Sequence, residues 1–215
     1  MEGQEAATPI PSSLNAPPMT AANESLAVMI DIPDASIADN ASLVTRLTDL
    51  INVVYTAAEE GLFAPTYRRT SEHEVREILG RREFALAWRG SDSGDGGSRA
   101  PSPDSLVGCI RIVDLSPTHG DFGMLACDSA FRGAGTGRAL VRFAEEHCRA
   151  LGKTTMQCEL LVSLEFSHPF KARNQAWYER MGYRVVRSVN FGADYPHLTP
   201  HLITQAELRV FEKVL

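Results

Sequence analysis

Residues 125–137 read LACDSAFRGAGTG, an apolar strand ending followed by three glycines at alternating positions. Arg138–Leu151 then carries apolar residues three and four apart, which predicts an amphipathic helix that stops at Gly152. A strand, a glycine turn and a helix start in this order expose backbone N–H groups at the positive end of a helix dipole. Glycine has no Cβ, so an anion can approach that backbone closely. The stretch predicts an anion site, best suited to a pyrophosphate; the simpler alternative is that the glycines only make a tight turn.

The segments on either side predict a mixed α+β domain. Asp39 or Asn40 can cap a first helix, and Ser71 with Glu74 forms a capping box before a second. Helices are expected at about 40–60, 72–79, 138–151 and 171–181, and strands at 26–32, 83–88, 106–115, 121–128, 154–162, 183–191 and 206–214.

Composition divides the chain into one domain and two weakly patterned segments. Residues 1–24 are rich in Ala, Pro, Ser, Asn and Thr without apolar periodicity, which predicts a disordered or loosely packed tail. Residues 90–105 are almost devoid of apolar side chains and are expected to form a flexible loop inserted between two strands. The domain itself is expected to span residues 25–215.

Charge and cysteine usage exclude several classes of protein. The net charge is -6, and no Lys or Arg precedes Arg46, which argues against a mitochondrial transit peptide. There is no basic stripe to bind nucleic acid, and no apolar run approaches the roughly 18 residues of a membrane-spanning helix. The four cysteines lack the spacing of zinc or redox sites, so no metal is expected and a reducing compartment, the cytoplasm or possibly the nucleus, is favoured.

Two stretches resemble motifs of the GNAT superfamily of N-acetyltransferases. Residues 125–137 look like its acetyl-coenzyme A motif, Leu-Ala-Val-x-Pro before Arg-Gly-x-Gly-x-Gly, with Cys127 at the usual Val and Ser129 at the usual Pro. Residues 177–183, WYERMGY, are similar to its second motif, Tyr-Glu-x-x-Gly-Phe. The resemblance spans about residues 26–215, by element order more than by letters. It implies a mixed, mostly antiparallel central sheet of about seven strands flanked by about four helices.

The resemblance also implies how acetyl-CoA binds. Backbone amides of about 132–137 would hold the pyrophosphate, and the pantetheine arm would pass between strands 121–128 and 154–162. The Leu125 N–H would stabilise the oxyanion of the tetrahedral intermediate. Where the family often has an Asn, this chain has Lys171, and the nearest Asn is Asn174. The cofactor-binding residues expected are Leu125, Ala126, Cys127, Arg132, Gly133, Ala134, Gly135, Thr136, Gly137, Arg138, Asn174 and Tyr178.

The resemblance also implies catalytic roles. Tyr178 matches the tyrosine that protonates the departing thiolate; its alternative is a core tyrosine beside Trp177. Asp121 lies four residues before Leu125, where related histone acetyltransferases carry a general base. Because alternate strand residues share a face, Asp121 and Leu125 are expected to point the same way. Glu159 is the second candidate base, and His119 and His168 are further ones.

The function expected is transfer of an acetyl group from acetyl-CoA to an amine, by direct attack in a ternary complex. Residues 63–69 and 192–202 are expected to line the acceptor site, with a small molecule favoured over a protein and the oligomeric state left open. The alternatives are a non-catalytic acyl-CoA-binding domain of the same fold and an S-adenosylmethionine-dependent methyltransferase. Too few residues follow Gly137 for the several βα units of about 30 residues that a methyltransferase sheet requires.

Overall fold

The computed structural model describes residues 28–90, 102–131 and 133–215. The predicted tail and most of the predicted 90–105 loop lie outside these residues. The strands are β1 (Val28–Asp31), β2 (Phe84–Arg89), β3 (Leu106–Asp114), β4 (His119–Cys127), β5 (Thr155–Ser163), β6 (Arg184–Asn190) and β7 (Ala206–Val214). The helices are α1 (Ala41–Ala58), α2 (Glu72–Gly80), α3 (Thr136–Ala150), α4 (Pro169–Arg180) and α5 (Phe191–Asp194).

The seven strands form one mixed sheet in the order β1-β2-β3-β4-β5-β7-β6. Only β4 and β5 pair in parallel among the described strands; every other neighbouring pair is antiparallel. The predicted α+β class, the strand number and the mostly antiparallel sheet are confirmed. The short helix α5 was not predicted, because four residues are too few to show a helical period.

Helices cover both faces of the sheet, each over its own apolar cluster. On one face α3 and α4 pack on a cluster that contains Phe122, Met156 and Phe211, and on the other α1 and α2 cover a cluster that contains Phe84 and Leu86. A smaller cluster, which contains Leu62, Phe63 and Phe191, joins the loop after α1 to the β6–β7 connection. Within the described residues, no helix is long and apolar enough to cross a membrane.

The helix caps follow the predicted chemistry in part. The Asn40 side chain accepts a hydrogen bond from the Leu43 amide at 3.1 Å and begins α1. The Ser71 hydroxyl accepts one from the Glu74 amide at 3.2 Å. The Glu74 carboxylate accepts from the Thr70 hydroxyl at 2.8 Å. No bond to the Ser71 amide is recorded among the described residues, so the capping box is half formed.

A gap opens between β4 and β5. Their parallel ladder covers four residue pairs, from His119 opposite Thr155 to Phe122 opposite Cys158. Beyond these pairs, β4 continues beside β3 while β5 continues beside β7. The later parts of the two strands therefore leave backbone groups facing a wedge-shaped space, which positions the site described below.

A bulge in β4 changes which side chains face each side of the sheet. Gly123 pairs with Arg111 and Ala126 with Cys109, so Met124 and Leu125 together oppose one residue of β3, and Met124 has a φ of 44°. Phe122 packs under α3, whereas Met124 packs under α1.

This bulge corrects the expectation that Asp121 and Leu125 share a face. Leu125 packs on the cluster under α3, on the same face as Phe122, whereas Asp121 alternates with Phe122 and points to the α1 face. The two-residue rule fails because one extra residue in the strand reverses the alternation.

Candidate active site

A cleft of about 1260 Å³ occupies the gap between β4 and β5. Its walls come from both faces of the sheet. The α4 side of the cleft is formed by Asn174, Trp177 and Tyr178 with Leu125 and Cys127. The α1 side of the cleft is lined by Tyr55, Glu59, Phe63, Tyr67, Arg69, Asp121, Glu159, Tyr195, His197 and His201. A ligand in this cleft can therefore contact groups on both faces of one sheet.

The glycine loop begins α3 with unusual backbone geometry. Gly133 and Gly135 both have a φ of 87°, and a Cβ added at either would meet nothing within 4 Å. Gly135 caps the helix without a side-chain hydrogen bond, and the first helical bond runs from the Ala139 amide to the Gly135 carbonyl at 3.0 Å. Within the described residues, the amides of 136–138 have no recorded partner. This uncapped, open helix start suits an anion.

Apart from 133–135, which form the exposed glycine loop, the predicted cofactor-binding residues fall into three groups. The Thr136 side chain is buried against Gly108, and the Ala126 side chain is buried under α1, so only their backbone groups can reach a ligand. Arg138 is exposed at the start of α3, and Arg132 lies outside the described residues. The cleft itself is lined by Leu125, Cys127, Gly137, Asn174 and Tyr178.

Tyr178 combines a buried ring with a place on the cleft wall. It is 7% exposed and lies 6.0 Å from Phe122, ring centroid to centroid. Burial raises the pKa of Tyr178 well above its usual range, so the phenol stays protonated at neutral pH. No hydrogen bond of its hydroxyl to another described residue is recorded. Tyr178 is thus part of the core, as the alternative interpretation held, and is also available as a donor in the cleft.

Asp121 and Glu159 lie on neighbouring strands on the α1 side of the cleft. The Asp121 Oδ1 is buried without a hydrogen-bond partner among the described residues. Burial, and secondly the charge of Glu159, raise the pKa of Asp121 to about 7. The Glu159 Oε2 accepts a hydrogen bond from the Tyr195 hydroxyl at 2.7 Å. The structure therefore brings together the two carboxylates that the sequence named separately.

The two predicted histidines lie elsewhere. The His119 ring lies 2.9 Å from the Thr118 hydroxyl, Nδ1 to Oγ1, at the start of β4. The His168 ring accepts a hydrogen bond from the Phe170 amide at 3.2 Å and caps α4. Neither lines the cleft, so the geometry favours the carboxylates as bases.

Lys171 is engaged in a buried ion pair. Its Nζ lies 3.1 Å from the Glu59 Oε1, and both side chains are at most 10% exposed. The pair ties α4 to the end of α1 across the cleft. Because its charge is already matched, Lys171 is a poor candidate to bind a phosphate of the cofactor.

Two loops meet over the α1 side of the cleft. Phe63 forms a β-bridge with Leu202, the Ala64 amide donates to the His201 carbonyl at 2.8 Å, and the Ile203 amide donates to the Leu62 carbonyl at 3.0 Å. Both predicted acceptor segments therefore line the same part of the cleft. The contact between Tyr195 and Glu159 was not predicted, because no local pattern joins residues so far apart in sequence.

Comparison with known proteins agrees with the fold and the glycine loop. Residues 98–185 match the model of the acetyltransferase (GNAT) domain family. No curated protein sequence matches the chain. The fold and the site define an acetyltransferase-type domain. The family match covers residues 98–185, from before β3 to the start of β6, and the sheet around them has the order of the GNAT fold.

Several solved structures share this architecture at low identity. A chain of the NatC complex bound to Gag peptide and CoA is 16% identical, with a TM-score of 0.56 over 87% of this chain and 98% of that chain. An aminoglycoside 6′-N-acetyltransferase complexed with coenzyme A is 18% identical, with a TM-score of 0.58 over 86% and 96%. Ard1 from Thermoplasma volcanium is 14% identical, with a TM-score of 0.55 over 88% and 98%. At these identities the likeness shows the fold alone.

Proposed function

We propose that this protein transfers an acetyl group from acetyl-CoA to an amine by direct attack in a ternary complex. The observation that carries the proposal is the uncapped start of α3, which opens beside the gap between β4 and β5. Across that gap lie two carboxylates, Asp121 and Glu159. Two of the structures with this fold were solved with CoA bound. The match of residues 98–185 to an acetyltransferase domain family supports the same reaction.

The described residues fit a CoA thioester. The amides of 135–137 would hold its pyrophosphate, since those of 136 and 137 have no partner among the described residues and lie at the positive end of α3. The Ala134 amide is already engaged, because it donates to the Phe131 carbonyl at 3.2 Å. The free edge of β4 near Cys127 would hold its extended arm. Acetyl-CoA supplies an activated acyl group. The Leu125 N–H lies in the bulge, where the extra residue leaves the ladder, and is our candidate donor to the developing oxyanion.

Asp121 is the proposed general base. An ammonium group must lose a proton before its nitrogen can attack, and a carboxylate with a pKa of about 7 is suited to accept that proton near neutral pH. The free Oδ1 of Asp121 is available for the contact. Glu159 is the alternative base; its hydrogen bond from Tyr195 leaves its other oxygen to hold the same amine.

Tyr178 is the proposed acid. Its phenol stays protonated because burial disfavours the phenolate, so it can donate a hydrogen bond or a proton to the departing thiolate. Its ring, packed between Phe122 and Phe211, holds the hydroxyl in a fixed position.

Thermal unfolding with different ligands separates this proposal from its alternatives. Acetyl-CoA and CoA are expected to raise the Tm by mass action, and S-adenosylmethionine is not. An acceptor panel, followed by release of free CoA thiol, then tests transfer. The mostly antiparallel sheet already disagrees with the doubly wound parallel sheet of the methyltransferase alternative. Binding of acetyl-CoA with no transfer to any amine would favour the non-catalytic binding domain.

A further inference from the structure

We propose that the acceptor is a small molecule that carries a carboxylate as well as its amine, and that Arg69 binds that carboxylate. This inference rests on the acetyl transfer proposed above and specifies its substrate class. It follows from the charges that the α1 side of the cleft leaves unpaired.

Most cations that line the cleft are already matched. The distances from their side-chain nitrogens to carboxylate oxygens are 2.7 Å for Arg46 with Asp128, 2.7 Å for Arg111 with Glu83 and 3.1 Å for Lys171 with Glu59.

Two arginines of the cleft form no ion pair with a carboxylate among the described residues. The exposed Arg68 donates from Nη1 to the carbonyls of Pro65 and Tyr67. Within the described residues, Arg69 is the partly buried cleft cation that has no carboxylate within 4.0 Å, and its hydrogen-bond partner is the uncharged Tyr67 hydroxyl.

Arg69 is held in place without being neutralised. Its guanidinium lies 5.3 Å from the centroid of the Tyr55 ring, and the side chain is partly buried on the cleft wall. The nearest acidic groups are engaged elsewhere, Glu59 with Lys171 and Glu74 with the Thr70 hydroxyl. No carboxylate bonds the guanidinium directly, and the Tyr67 hydroxyl occupies only part of its five N–H donors, so the remaining donors are available to a bound anion. The planar guanidinium matches a carboxylate through two parallel hydrogen bonds.

The opposite charge is unpaired in the same part of the cleft. Asp121 keeps a buried Oδ1 without a partner, and Glu159 is bonded to Tyr195 alone among the described residues. Burial raises the pKa of Tyr195, its bond to Glu159 adds to this, and the Arg69 charge acts in the opposite direction. Arg69 therefore lies within electrostatic reach of the residue that contacts Glu159. Such an arrangement complements a molecule with an ammonium at one end and a carboxylate at the other.

The wall of this chamber favours a small molecule. The Phe63–Leu202 bridge closes it on one side, and the Tyr67 ring lies 4.2 Å from the Phe63 ring and 5.4 Å from the His201 ring, centroid to centroid. The backbone hydrogen bonds that join the two loops form a wall on this side of the cleft, which leaves less room for an extended chain than for a small molecule.

Matched acceptors test the inference. Each amino acid is compared with its own carboxamide, which keeps the amine and the side chain and removes only the negative charge. Transfer is measured as CoA thiol release, with mass spectrometry of the product. Wild-type kcat/KM is expected to be about tenfold or more higher for the acids. Arg69→Gln should remove about that factor for the acids, mainly through KM, and leave the carboxamides within about twofold. Arg149→Gln, the matched control at an exposed position near the end of α3 and outside the cleft, should leave both within about twofold.

The outcomes separate this inference from the function on which it rests. Equal transfer to acids and carboxamides by the wild type would overturn the carboxylate assignment and leave acetyl transfer intact. Equal loss for both classes in Arg69→Gln would show that Arg69 is structural and would overturn the assignment too. No transfer to any amine would overturn both proposals. Where Arg69→Gln does not fold, the wild-type ratio and the Arg69→Lys variant, which keeps the charge but not the fork, decide the question.

Discussion

The two sides of the cleft differ in how the sequence encodes them. The α4 side and its glycine loop come from two short stretches, residues 125–137 and 174–178, each with a local pattern. The α1 side is assembled from α1, the loop after it, β4, β5 and the β6–β7 connection. In the proposed function, the first side binds the cofactor through backbone amides. The second side presents side chains, whose identity would decide which acceptor is bound. A backbone anion site therefore follows from a local sequence pattern, whereas the proposed acceptor site depends on tertiary contacts.

The largest expected effect is on the glycine loop. Gly135→Asp should weaken acetyl-CoA binding about a hundredfold or more, because a side chain and a negative charge would lie where the pyrophosphate belongs. Calorimetric titration measures the change. Gly152→Asp is the matched control, since Gly152 has a φ of 81°, equally open surroundings and a place at the opposite end of α3. Equal losses of affinity in the two variants would point to backbone strain and not to the site.

The next effect concerns the α4 side alone. Tyr178→Phe should lower kcat by roughly ten- to a thousandfold while acetyl-CoA affinity and Tm change little, since only the hydroxyl is lost. Tyr183→Phe is the matched control, because its hydroxyl donates to the buried Glu145 carboxylate at 2.8 Å. That variant should lose Tm and keep kcat. A Tyr178→Phe enzyme with wild-type kcat would assign thiolate protonation to water.

On the α1 side, Asp121→Asn should change the pH dependence of turnover. A base must be deprotonated to act, so wild-type kcat/KM should rise with pH through about 7, where the Asp121 carboxyl titrates. Asp121→Asn should lack that rise and be slower throughout. The pH–rate profiles are compared at saturating acetyl-CoA. A rise near pH 7 that persists in the variant would transfer the role to Glu159 or to water.

The smallest expected effect of Asp121→Asn is on the free energy of unfolding. Unlike the losses of activity above, it is a gain. The folded-state pKa of Asp121, about 7, lies above the usual value of 3.8, so the folded protein binds the extra proton between these values. The contribution of the protonated Asp121 carboxyl to stability is complete below about pH 3.8 and is lost as pH rises to about 7. The uncharged amide of Asp121→Asn does not titrate, so the stability of the variant lacks this loss. Relative to the wild type, the free energy of unfolding of the variant should therefore increase by about 2 kcal/mol more at pH 8 than at pH 5. Urea unfolding at the two pH values measures this difference. An equal gain at both pH values would contradict the raised pKa.

Local patterns predicted most of the fold. The seven strands, the Ser71 cap and the glycine loop each follow from residues close together in sequence, and the structure has all of them. The relation of Asp121 to Leu125 was wrong because the bulge at Met124 depends on pairing with β3. Gly123, a glycine inside the strand and next to Met124, was a local signal from which the bulge could have been predicted.

The acceptor chamber could not be predicted in the same way. Arg69 and Tyr195 fell inside the segments named as its walls, but their electrostatic relation depends on the Phe63–Leu202 bridge and the Tyr195–Glu159 bond. Likewise, the sequence shows Lys171 where the family often has an Asn, but only the structure shows that this lysine pairs with Glu59. Charge pairing is a property of the fold, and a sequence shows the charges without their partners.

The most direct test of the account is a single-turnover reaction with acetyl-CoA labelled in its acetyl group, enzyme in excess, and mass spectrometry of both products. Direct transfer across the cleft predicts that the label passes to the amine while the mass of the protein stays unchanged. It also predicts that Gly135→Asp and Asp121→Asn, from opposite sides of the cleft, each slow the appearance of labelled amine. Label that accumulates on the protein before it reaches the amine, or acetyl-CoA that binds without any labelled amine, would contradict direct transfer.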